Sequence, residues 1–186
     1  MAAQPLPAVI LAAGAGRRMG GPKALLVLAG ETLLQRAARA AREAGCDPVL
    51  AVVGAWDPGP VAARCVVNPG ADEGMASSIR TGVAALPPEA AAALLLTVDQ
   101  PAVDAALLKD LLDLAARDLD RPAACAYGGT LGIPAVVPRR LFPDLLRLQG
   151  DRGAKALLLQ EDPAALPFPA GERDLDTRDD LARQVP

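Results

Sequence analysis

Three cations, Arg17, Arg18 and Lys23, sit in a short segment, LAAGAGRRMGGPK (11–23), that follows an apolar run and carries four glycines. No acidic residue precedes Glu31. Glycines let a backbone approach an anion and turn its N–H groups toward it, so the segment has the chemistry of a phosphate cradle. Both common phosphate patterns fail on it. Gly14-Ala15-Gly16 opens a dinucleotide fingerprint that ends on Met19 instead of glycine. Gly16 to Gly21 opens a P-loop, but Pro22 intervenes before Lys23, and Ala24 lacks the metal-binding hydroxyl. What remains is a glycine loop with three cations, suited to a nucleotide triphosphate. The plain alternative is a surface loop that is basic by chance.

Three other stretches carry candidate groups. In LLLTVDQPAV, Asp99 stands where an apolar strand ends, followed by Gln100 and a proline that favours an extended exit. A carboxylate there, with phosphate oxygens, is the usual way to hold Mg²⁺; taken alone, an aspartate at this place is more often a turn or cap. In DLDTRDDL, Asp174 and Asp176 alternate along a short β-like run and point to opposite faces, so one of them, Asp174, reaches a shared crevice. Asp176 or Thr177 then caps a terminal helix. In NPGADEGMASSIRTG (68–82), Asn68 ends a strand, Gly74 permits a tight turn, and Ser77 or Ser78 is placed to cap a helix or read a base edge.

These groups need elements to position them. PAVILAA (7–13) reads as a buried strand, and ETLLQRAARAAREAG (31–45) as an amphipathic helix ending at Gly45. Strands follow at 48–54 and 64–68, a helix at about 76–86 before Pro87-Pro88, and a strand at 91–98. A helix over 104–117 has Asp104 as its N-cap. Strands at 123–127 and 133–137 flank a GGTLG turn, with helices at 139–148 and 152–160 and a short one after Thr177. Alternating strands and helices predict βαβ units and a mostly parallel sheet. Ligands of such a sheet sit at the carboxyl ends of its strands, which is where the glycine loop and Asp99 fall. No repeat or linker divides the chain, so residues 1–186 read as one domain.

Composition narrows the chemistry. The chain has no histidine, which removes Ser-His-Asp and Cys-His catalysis and histidine-ligated metals. Cys46, Cys65 and Cys125 form no CxxC pair, so neither a zinc site nor a disulfide framework is expected, and three lone thiols suit a cytoplasmic location. A net charge of −3 and four aromatic residues speak against nucleic acid as a partner. No stretch has the length of a membrane helix, and the arginines follow the first apolar run where a signal peptide would have them before it.

Taken in order, LAAGAGRRMGGPK, GMASSIRTG, TVDQPAV, GDRGAKALL and DLDTRDDL resemble the motifs of the MobA-like nucleotidyltransferases, and within them the molybdenum cofactor cytidylyltransferases. The resemblance spans nearly the whole chain. It implies a three-layer α/β, Rossmann-like nucleotidyltransferase fold with a mostly parallel central sheet. It implies a nucleotide site made of Leu11, Ala12, Ala13, Gly14, Gly16, Arg18, Lys23, Asn68, Gly74, Ser78 and Asp99, with Arg18, Lys23 and Asp99 catalytic. Asp99 and Asp174 would hold Mg²⁺, and GDRGAKALL would lie towards the acceptor. The implied reaction joins CMP from CTP to the phosphate of a molybdopterin-type cofactor and releases pyrophosphate; a molybdenum hydroxylase apoenzyme would receive the product. Such an acceptor is already anionic, so a chain without histidine can carry out the step.

Two features depart from the cytidylyltransferase pattern: Ile133 stands where relatives often have the histidine of a Gly-His-Pro stretch, and Arg178 replaces a proline. Guanylyl-transferring relatives usually read LAGG where this chain has Leu11-Ala12-Ala13-Gly14, so the Ala13 methyl favours a pyrimidine. A guanylyltransferase, a sugar-phosphate nucleotidyltransferase and a non-catalytic cofactor chaperone are the competing readings.

Overall fold

The computed structural model describes residues 4–16 and 20–175. Arg17, Arg18, Asp176, Thr177, Arg178 and the expected terminal helix therefore lie outside the described residues.

Apolar runs with few polar interruptions form strands buried on both faces, as parallel sheets require. β1 (Ala8–Leu11), β4 (Val49–Val53) and all of β6 (Ala92–Thr97) except Thr97 are buried along their length. The first connection also holds a small hairpin, β2 (Val27–Leu28) and β3 (Glu31–Thr32), that hydropathy alone did not indicate. β5 (Arg64–Val67), β7 (Ala123–Tyr127), β8 (Thr130–Pro138) and β9 (Ala164–Pro167) complete the strands described. The main sheet runs β5-β4-β1-β6-β8-β7-β9. β1 pairs in parallel with β4 and β6, β4 with β5, and β7 with β9; β8 pairs antiparallel with both β6 and β7. The sheet is mostly parallel, with β8 as its reversed strand. A hairpin explains the reversal: Gly128 and Gly129 both adopt left-handed backbone (φ 57 and 69), the conformation of a two-residue turn, and the rest of the GGTLG stretch belongs to β8.

Helices cover both faces. α1 (Leu33–Glu43) and α3 (Ala105–Ala115) pack on one side through Leu33, Leu34, Leu108 and Leu111. α2 (Met75–Ala84), α4 (Phe142–Leu145) and α5 (Lys155–Gln160) pack on the other through Ile79, Val83, Leu145 and Leu158. This is the expected three-layer arrangement. α1 begins with a capping box, Thr32 accepting from the Gln35 backbone and Gln35 returning the bond, and Asp104 caps α3 as its sequence position predicts. The helix expected over 139–148 is shorter, a 3₁₀ turn at Arg139–Leu141 followed by the single turn of α4. Among the described residues no helix is long and apolar enough to cross a membrane.

Candidate active site

The chain leaves β1 towards β4 and β5 on one side, then crosses to β6 on the other, so β1 and β6 are the neighbours at which the strand order reverses. A crevice opens at the carboxyl ends of such a pair. Leu11 pairs with Thr97, and Ala13 and Asp99 each follow two residues later, so the two connections emerge side by side. Between them and the start of α2 lies a cleft of about 520 Å³. Leu11, Ala12, Ala13, Gly14, Ala15, Gly16 and Lys23 line it from the first connection, Thr97, Val98 and Asp99 from the end of β6, and Ala71, Asp72, Gly74, Met75 and Ser78 from the α2 side.

Local geometry explains the glycines selectively. Gly16 has φ +56, and a β-carbon there would collide with the carbonyl of Gly21, whose own N–H donates to the Gly16 carbonyl at 3.3 Å. The loop closes on itself at this contact. Gly14 is different: a β-carbon would meet nothing within 4 Å, so this glycine leaves open space in the cleft wall. Pro22 then leads into a 3₁₀ turn, Lys23–Leu25, held by Leu25 N–H to Pro22 and Leu26 N–H to Lys23 carbonyls, both at 3.0 Å. This turn places the Lys23 ammonium 3.7 Å from Asp99 Oδ2, with about a quarter of each side chain exposed. A cation and an acid from opposite sides of the switch point thus share one mouth.

The backbone next to Asp174 is tied to Asp99, while Asp174 itself is exposed and is not among the residues lining the cleft. The Leu175 N–H donates to the Asp99 carbonyl at 2.8 Å. Of the run in which alternation suggested a short strand, the described residues 173–175 have no regular structure, and Asp176 lies outside the described residues. The two carboxylates share a neighbour in Tyr127. Burial pushes its hydroxyl pKa up, the charges of Asp174 and Asp99 add to this, and Gln100 opposes it. Two aspartates are hard oxygen donors of the kind Mg²⁺ takes together with phosphate oxygens. Among the described residues no group of three or more Cys, Asp or Glu could hold a metal by itself; the ligands beyond this pair would have to come from substrate or water.

The α2 side corrects two expectations. Neither Ser77 nor Ser78 caps the helix: Gly74 occupies the N-cap with φ +122 and no side-chain cap. Ser77 Oγ donates back to the Gly74 carbonyl at 2.8 Å. Asn68 is buried, and its side-chain amide donates to Ser77 Oγ at 2.8 Å and Ser78 Oγ at 3.1 Å while Asn68 Oδ1 accepts from the Gly70 N–H at 2.9 Å. Asn68 is therefore spent on holding the serines and is not among the residues lining the cleft, whereas Gly74 and Ser78 are.

Asp151, from the GDRGAKALL segment, joins this wall. That segment was expected towards an acceptor, and it shares the cleft with the glycine loop. A β-carbon on Gly74 would strike the Asp151 carboxylate and the Gly150 carbonyl, so the two segments touch. Asp151 carries no local sequence signal and is brought in by its contact with Gly74, whereas Asp72 and Met75 flank Gly74 within the NPGADEGMASSIRTG stretch. Ile133, in the departure from Gly-His-Pro, packs its side chain against the core on the α2 side, and its carbonyl accepts from the Tyr127 hydroxyl at 2.8 Å.

A family model described as the MobA-like NTP transferase domain matches residues 8–164. A probable molybdenum cofactor guanylyltransferase of Opitutus terrae is 43% identical over 114 residues, 59% of this chain and 55% of that protein. The match thus spans about half the length of that relative. A protein of Paenarthrobacter nicotinovorans named nicotine blue oxidoreductase is 36% identical over 170 residues, covering 82% of this chain and 81% of its own. Among solved structures, Rv0371c of Mycobacterium tuberculosis H37Rv superposes with a TM-score of 0.79 at 28% identity over 97% of each chain. Its complex with manganese superposes at 0.76, with 27% identity and 98% of each chain covered.

Proposed function

Because the chain belongs to the MobA-like NTP transferase family, a family of nucleotidyltransferases, we propose that it transfers CMP from CTP to the phosphate of a molybdopterin-type cofactor, releasing pyrophosphate. The observation that carries this reading is the meeting of Lys23 and Asp99 at 3.7 Å over the β1–β6 switch point, facing the glycine loop. The loop and Lys23 hold the triphosphate, with Arg18 contributing a second cation. Asp99 and Asp174 would hold Mg²⁺, which would neutralise phosphate charge when bound; that the mycobacterial relative forms a complex with manganese supports a divalent cation in this reading.

In the reaction an oxygen of the acceptor phosphate forms a bond to the α-phosphorus as the bond from that phosphorus to the bridging oxygen breaks. Pyrophosphate leaves with the electron pair. The acceptor oxygen is anionic at neutral pH, so no side chain has to remove a proton. The chain's own part is to bring the two phosphates into line and to place Lys23 and Arg18 where charge builds on the leaving group.

For the base we rely on Ala13, a cleft-lining residue standing where guanylyl-transferring relatives usually have glycine, as favouring a pyrimidine. The name of the Opitutus relative, a probable molybdenum cofactor guanylyltransferase, supports the acceptor and speaks for guanine over cytosine as the base. A second reading, a redox reaction, rests on the name of the Paenarthrobacter relative. Against it, β4 runs on into Gly54-Ala55-Trp56 and offers no acid for a dinucleotide ribose.

The test is pyrophosphate release from CTP, GTP, ATP and UTP with Mg²⁺, with and without the cofactor. Release from CTP that needs the cofactor is the expected result. Preference for GTP would overturn the base assignment. Absence of release with active cofactor would overturn the acceptor, and sugar phosphates would be screened next. NAD(P)H consumption in the same preparation would favour the redox reading, and binding of nucleotide and cofactor without turnover would favour a chaperone.

A further inference from the structure

The α2 wall of the cleft is held by a side-chain clamp that the reaction above does not use. Glu73, in the 3₁₀ turn Ala71–Glu73, and Arg80, in α2, form a two-armed pair: Arg80 Nη1 donates to Glu73 Oε1 at 2.8 Å and Nη2 to Oε2 at 2.5 Å. Two parallel N–H donations to one carboxylate fix both groups in orientation as well as in distance. The same Nη1 reaches the Leu148 carbonyl at 2.6 Å, and Glu73 Oε1 also accepts from the Gly150 N–H at 3.3 Å. A backbone bond closes the ring, Ala76 N–H to the Gly150 carbonyl at 3.1 Å. The connection from α4 to α5 is thereby tied to the first turns of α2 at three points. The residue delivered at the end of it is Asp151, whose carboxylate lies over Gly74 on the cleft wall that Ser78 also lines.

The opposite functions of the cleft are already taken. Lys23 and the glycine loop suit phosphates and Asp99 suits a cation, whereas the α2 wall, with Ser78 and Asp151, offers the hydrogen-bonding groups that suit the base end of a nucleotide. A carboxylate there accepts hydrogen bonds and donates none. It can bond the exocyclic amino group of cytosine, whereas the carbonyl that uracil has at the same position would face it acceptor to acceptor.

We propose that Asp151 is a specificity-determining residue that accepts from the amino group of the nucleotide base, and that Arg80 is a positioning residue that holds Asp151 there through Glu73 and the 148–150 backbone. The inference rests on the cleft's being a nucleotide site and is independent of the acceptor, so binding alone tests it. Affinities of CTP, UTP and inorganic tripolyphosphate are measured for the wild type and for Asp151→Asn, Arg80→Met and Glu73→Gln in Mg²⁺ buffer. The wild type favours CTP over UTP. Each variant reduces that preference about tenfold, the size of one lost charge-assisted hydrogen bond, while tripolyphosphate, which reads only the Lys23 end, binds as before. An unchanged CTP-to-UTP ratio in Asp151→Asn overturns the specificity role. An unchanged ratio in both Arg80→Met and Glu73→Gln overturns the positioning role. Equal weakening of all three ligands, tripolyphosphate included, shows a general structural effect and overturns it as well. Failure of the wild type to bind CTP at all would instead remove the nucleotide reading on which the inference stands.

Discussion

At the scale of single residues, the cleft depends on charge placed by short-range geometry. Lys23 and Asp99 are both partly exposed, so removing either opens no cavity in the core. Lys23→Ala and Asp99→Ala are expected to lower kcat/KM by about 10²–10³-fold and to leave Tm within about 2 °C of the wild type. Steady-state pyrophosphate release and a thermal melt check both halves. Wild-type turnover in either variant would remove that residue from the site.

At the scale of elements, two positions show how local chemistry and packing diverge. The β2–β3 hairpin turns on Ala29 and Gly30, both left-handed with φ 52 and 85. Glycine adopts this backbone freely, alanine at a cost of roughly 1–2 kcal/mol, and asparagine is the residue such turns prefer at the first position. Ala29→Asn should therefore stabilise the protein by about 0.5–1 kcal/mol, read as a higher urea midpoint with unchanged slope. Gly82 in α2 has the opposite reason for being small: a β-carbon there would strike Val9 Cγ1 of β1 and crowd Val52 Cγ2 of β4. Gly82→Ala improves intrinsic helix propensity yet should destabilise by about 1–3 kcal/mol, since α2 must lift from the sheet. If the urea midpoint rises instead, the helix has room that the packing denies.

At the scale of the whole molecule, the two-faced burial of the sheet governs thiol chemistry. Burial pushes the thiols of Cys46 and Cys125 up to about 12 and raises that of the half-buried Cys65. At pH 8 iodoacetamide is expected to label Cys65 first, and Cys46 and Cys125 only at the rate of unfolding; mass spectrometry of the labelled peptides reads the order. The sign of the pH dependence follows. Folded-state values above the unfolded one mean that stability is fully present below about pH 9 and is lost as pH rises towards 12. Urea midpoints at pH 8 and pH 10 should fall in that order.

What the sequence determined by itself is local. The apolar runs of β1, β4 and β6, the Asp104 cap, the glycine loop ending at Lys23 and the place of Asp99 after a strand were all legible, because hydropathy period, capping and turn chemistry act over a few residues. The small hairpin was not, since two-residue strands leave no periodic signal. Tertiary structure alone decided that β8 reverses, that Asn68 turns inward to hold two serines, that the backbone next to Asp174 is tied to Asp99 by the Leu175 N–H, and that Asp151 stands over Gly74. Each of these joins residues that local propensity cannot relate, through a hydrogen bond or a contact that exists only once the layers are packed.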